Sequence, residues 1–168
     1  MNTAIIASSL TTLFSELVHG APLSAAYMLN RGDPGLLRSL DRISAVAASA
    51  PPGPGGASVA AHVDHLRYGL SLLNQWAAGV RPFEDADWTV SWRKTTVSDA
   101  EWLALRQQLR AEAEQWLAVL AVPREVGELE LNDVIGSIAH LAYHLGAIRQ
   151  LERELRGPAA TDPLIARP

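Results

Sequence analysis

Four amphipathic segments, the clusters of glycine and proline between them, and the lack of any strand-like alternation of useful length predict an all-α protein. The expected architecture is a four-helix bundle with a long, partly helical connection between the first and second long helices. The 168 residues suit one domain spanning 1–168, with residues 158–168 expected to fray as a tail. A composition that is 48% hydrophobic and 19% charged belongs to folded globular chains rather than disordered ones.

The first helix is expected from about Thr3 to His19. There Ile5, Ile6, Leu10, Leu13, Leu17 and Val18 fall mostly three or four apart, before Gly20, Ala21 and Pro22 stop the run. The following stretch is less regular. A short helix is expected within Ser24 to Leu29, a turn from Arg31 to Gly35, and helix again from Leu36 to Ala48. The run from Pro51 to Gly56 denies any regular hydrogen-bond ladder and reads as a linker or exposed turn.

Ser58 is placed to cap a second long helix from Val59 to about Ala78, closed by Gly79. Residues 80–97 form a loop holding Trp88 and Trp92, long enough either to act as a lid at one mouth of the bundle or to be anchored by its two indole rings. Ser98 and Glu101 have the spacing of a capping box and open the third helix, which runs to Pro123. The fourth is expected to start near Leu131 or Asn132 and to continue through Leu155 to Gly157 and Pro158.

Composition removes several function classes. A net charge of −4 and a pI near 5.7 give no electrostatic footprint for nucleic acid. Cysteine is absent, so disulfides, thiolate nucleophiles and cysteine-ligated metals are excluded, and any metal must be held by His, Asp or Glu. The segment Met1 to Gly20 lacks a basic region and carries Glu16, so no signal peptide is read there, and no run of about 18 uncharged apolar residues predicts a membrane span. A cytoplasmic location with no membrane partner is the expectation.

The histidines carry the chemistry. Of the five, His19, His62, His65, His140 and His144, the last two stand four apart on the fourth helix, one turn from each other on one face, a spacing that can hold a single ion. His62 and His65 stand three apart on the second helix, and helical projection lets either point inward. One ring from the second helix and two from the fourth would make a facial three-histidine site with open positions, suited to Zn or another imidazole-preferring divalent ion. A histidine on a half-apolar helix face is also a common hydrogen-bonded core residue, so the pair alone does not decide the matter. Gly69 lies one turn beyond His65 and leaves open space there, Asp64 and Asp133 are candidates to orient an imidazole, and His19 is accounted for by the C-terminal end of a helix dipole.

The segments SVAAHVDHLRY, residues 58–68, and SIAHLAYHLGAI, residues 137–148, resemble the DinB-like superfamily of DNA-damage-inducible bundle proteins, which includes the YfiT-like metalloenzymes. The likeness follows helix order over nearly the whole chain and is sharpest at His140, His144, Gly146, Arg149 and Gln150. It implies His65, His140 and His144 as ligands of a divalent metal, Zn or Ni first and Fe or Mn after them, with His62 only a neighbour. It further implies a homodimer and a small-molecule substrate, with thiol S-transfer that uses a low-molecular-weight thiol, or maleylpyruvate isomerisation, as the activity; a metal-dependent thiol transferase or hydrolase is the leading expectation. The other class to be weighed is a non-catalytic dimeric binding or stress-response module that keeps the scaffold.

Overall fold

The computed structural model describes residues 2–53 and 55–159. Among them there is no strand, and six α-helices follow in order: α1 (Thr3–His19), α2 (Gly35–Leu40), α3 (Ala45–Ser49), α4 (Val59–Ala77), α5 (Asp99–Leu120) and α6 (Glu128–Leu151). The four long ones are α1, α4, α5 and α6. Each of α1 and α4 packs on both α5 and α6. The core they enclose holds Phe14, Leu17, Leu66, Leu109, Trp116, Leu141 and Ile148, all nearly or completely shielded from solvent. Burial of this kind stabilises by about 1.5–3 kcal/mol for each large apolar side chain.

Caps set the helix starts, at Ser58 and Ser98 as the sequence implies and also at Asn2 and Ser44. Asn2, Ser44, Ser58 and Ser98 each accept an N–H of the first turn through the side chain, and Ser98 with Glu101 completes the reciprocal box. Two boundaries of the last helix differ from expectation. α6 begins a turn early, after Gly127, because Glu128 and Glu130 complement the positive end of the helix, while Glu130 also pairs with Arg124 at 2.7 Å. It ends at Leu151, where Glu152 turns extended and a single 3-10 turn, Arg153–Leu155, swings Leu155 into the core. Of the predicted tail, residues 160–168 lie outside the described residues, and the Pro158 carbonyl accepts from Asn30 Nδ2 at 2.6 Å.

The connection before α4 corrects the sequence reading in two places. Residues 24–29 are not helical, because the Glu16 carboxylate, only 4% exposed, takes the N–H groups of Tyr27, Met28 and Leu29 at 2.6–3.1 Å. Three successive N–H groups pointing at one anion leave no helical ladder. The helix expected from Leu36 to Ala48 is split at residues 41–44: the Trp102 indole N–H donates to the Ile43 carbonyl at 2.8 Å, Arg106 pairs with Asp41 at 2.7 Å, and Ser44 starts a new helix. Anchoring by α5 outweighs helix continuation there.

Gly20 and Gly35 are required by the close approach of two chain segments. Both have positive φ, and a Cβ on either would fall 2.2–2.4 Å from backbone atoms across the contact. Beside them the buried Asp33 accepts from Arg149 of α6 at 2.6 Å and from the Gly35 N–H at 2.8 Å, which fastens the connection to the last helix.

Candidate metal centre

Antiparallel packing of α4 on α6 brings four imidazoles together, with His62 opposite His144 and His65 opposite His140. His65 Nε2 is 3.1 Å from His140 Nε2, which is 2.9 Å from His144 Nε2. His65, His140 and His144 each offer one nitrogen, and these lie within 4.8 Å of one another. Nitrogens bound at about 2.0–2.1 Å to one ion stand about 3.3 Å apart in a tetrahedral arrangement and about 2.9 Å apart in an octahedral one. The two close separations match ligands that share an ion. The sequence left His62 and His65 as alternatives, and the geometry separates them: His65 turns its Nε2 to the cluster, while His62 meets the outer nitrogen, Nδ1, of His144 at 2.8 Å.

The outer hydrogen bonds also fix which nitrogen is a lone pair. Ser91 Oγ donates its one hydrogen to the Trp88 carbonyl at 3.1 Å, so at its 2.9 Å contact with His65 it accepts, and His65 Nδ1 carries the proton. The inward Nε2 of His65 is then unprotonated. His144, 2% exposed, is placed in the same way when its Nδ1–H donates to His62. At most one inward proton, on His140, remains to be shared among three converging nitrogens, an arrangement that a cation satisfies fully. The donor set, three neutral imidazoles without a thiolate or carboxylate, fits a divalent transition ion of borderline softness.

Burial holds all four rings neutral. It pushes His144 down to about 3 and His65 down to about 4, each helped by the repulsion of the neighbouring histidines, and lowers His62 and His140 as well. The sign for stability follows directly. Unfolded imidazoles take up protons below about pH 6.5, whereas these rings resist until about 4 and about 3. The stability from their neutral burial is therefore present above about pH 6.5 and is lost as pH falls through the folded values. Thermal melting in the presence of a chelator is expected to show this loss, with a shallower slope for His144→Gln; equal slopes would mean that the ring is solvated.

Not every candidate joins the site. Asp64 pairs with Arg67 at 2.8 Å instead of orienting a histidine, and His19 lies 3.5 Å from Glu114, away from the cluster. Asp133 makes no hydrogen bond to an imidazole and lines a neighbouring cavity. The orienting roles fall to Ser91, which sequence reasoning missed, and to His62. Ser91 lies in a 3-10 turn, Val90–Trp92, of the loop that crosses α4, and the same turn stacks the Trp92 ring on His65 with centroids 4.3 Å apart. The Trp-x2-Ser-Trp run in a long loop facing a histidine helix was the available signal.

The cavity, about 360 Å³, lies in the groove between α4 and α6. His65 and His140 stand on its wall, Leu66, Leu70 and Leu141 line it, and Phe83 and Trp88 from the loop cover it. Gly69 faces the same groove, where a Cβ would make ordinary contacts with the Trp88 and His140 rings at 3.7 and 3.9 Å. The three histidines can hold a metal ion with an open, largely apolar groove beside it. No helix among the described residues is long and apolar enough to cross a membrane. No family model matches the chain, and neither a curated protein nor a solved structure is significantly similar to it.

Proposed function

We propose that the chain is a metal-dependent enzyme built as a DinB-like four-helix bundle, in which His65, His140 and His144 hold one divalent ion, Zn or Ni before Fe or Mn. The observation that carries this reading is the convergence of three Nε2 atoms, two of them 2.9 and 3.1 Å from the third, beside a cavity of about 360 Å³. A bound ion would supply Lewis acidity and lower the pKa of a coordinated water or thiol, so that a nucleophile exists at neutral pH. The chain's own part is positional. Ser91 and His62 keep the imidazoles in the metal-binding tautomer, Trp92 holds the His65 ring by stacking, and Phe83 and Trp88 line the groove beside them. Thiol-dependent S-transfer or hydrolysis of a small molecule is the reaction class proposed.

Metal content of protein purified without a polyhistidine tag is the test. About one transition ion per chain is expected. Protein that stays empty after growth in metal-supplemented medium would overturn the enzyme reading in favour of a non-catalytic binding module.

A homodimer is part of the same proposal. α6 leaves Leu129, Ile135 and Tyr143 at 50–77% exposure, beside Ala139, which is itself exposed and lets another helix approach closely. Light scattering at micromolar concentration is expected to give twice the 18.1 kDa chain mass. A monomer mass would remove the dimer without touching the metal centre.

A further inference from the structure

The metal reading leaves one end of the cavity without a task. Because α4 and α6 are antiparallel, the groove runs from His65 and His140 toward Leu73 and Asp133. Asp133 and His140 are seven positions apart on α6, about 10 Å at a rise of about 1.5 Å per residue. Between them the lining is apolar or already satisfied: the Ser137 hydroxyl donates to the Val134 carbonyl at 2.7 Å and accepts from the Trp116 indole at 3.0 Å. Asp133 is the one carboxylate among the described lining residues, and no Lys or Arg lies with it. It takes part in no ion pair among the described residues. Trp88, with its ring centroid 5.8 Å from that of His65, belongs to the histidine end of the groove, so the far end is marked by Asp133.

We infer that the cavity selects a small molecule about 10 Å long that has an apolar body and a cationic nitrogen at the end opposite the histidines, seated against Asp133. The end that meets the histidines is a metal-binding group and rests on the metal reading above; the cationic end does not. An anionic group at the Asp133 end is disfavoured by the carboxylate.

Three probes of equal length separate the possibilities: hexanohydroxamic acid, its ω-amino derivative and its ω-carboxy derivative, titrated into metal-loaded and chelator-stripped protein by calorimetry or tryptophan fluorescence. The amino derivative is expected to bind about five-fold tighter than the unsubstituted chain, the scale of one partly exposed ion pair, and the carboxy derivative weakest. Asp133→Asn should erase that preference while leaving the unsubstituted probe unchanged. Gly136→Leu should weaken all three with metal content intact, since a Cβ at Gly136 meets nothing within 4 Å and the added side chain fills the groove. Stripping the metal should weaken all three and keep their order. If no metal ever binds, the metal reading fails and the order on metal-free protein still decides the cationic end. A carboxy probe that binds as well as the amino one, a preference that survives Asp133→Asn, or no binding of any probe overturns the inference.

Discussion

His140→Ala is expected to lower metal affinity more than a hundred-fold while far-UV circular dichroism stays unchanged. The size follows from position: His140 Nε2 is the nitrogen that both His65 and His144 approach, at 3.1 and 2.9 Å, so its removal takes away the shared member of the set. Loss of an outer hydrogen-bond partner alone costs about ten- to hundred-fold, and loss of a ligand costs more. The fold tolerates the change because the ring is only partly buried and the packing stripe of α6 is carried by Val134, Ile138, Leu141, Leu145 and Ile148. His65→Ala and His144→Ala belong in the same class. Ser91→Ala and His62→Ala should fall about ten-fold, since each acts through a ligand it orients. Full metal occupancy in His140→Ala, or a Ser91 variant worse than a His65 variant, would break the assignment.

The second large effect is on stability. Glu16→Ala is expected to destabilise the protein by about 3 kcal/mol, because a buried carboxylate that accepts three backbone N–H groups is replaced by a methyl group that accepts none. Glu16→Gln should lie between the two, as one amide oxygen can still accept but the charge is gone. Denaturant titration measures the difference directly. Hydrogen exchange should locate it at Tyr27, Met28 and Leu29; protection unchanged at these three amides would show that other contacts order the segment.

How far the sequence reached depended on the range of the interaction concerned. Periodicity and capping act within a few residues, so Thr3–His19, Ser58 as a cap, and the Ser98–Glu101 box could be read directly. The His140–His144 pair was legible for the same reason, being one helical turn. Choosing His65 over His62 needed the rotation of α4 against α6, which two residues three apart do not specify; the resemblance supplied the choice and the inward Nε2 of His65 supports it. Ser91 and Glu16 could not be read. Their partners lie 26 and 11–13 residues away, on elements whose meeting depends on tertiary packing. The break at 41–44 and the early end of α6 failed likewise, as Trp102 and the burial of Leu155 override local helix preference.

The contacts that build the histidine cluster join positions 75 and 82 residues apart, His65 to His140 and His62 to His144. Contacts of such sequence separation need a long loop to close before they reward it, which places them behind local helix contacts in the order of folding. The cluster is therefore a late acquisition along the folding route, absent while α4 and α6 are still apart. An ion held there would act on escape from the native state rather than on arrival at it, slowing unfolding and leaving the refolding rate nearly unchanged. With an ion bound, persistence in the cell, set by how seldom the helices part, would depend on metal supply even for molecules that have long since folded.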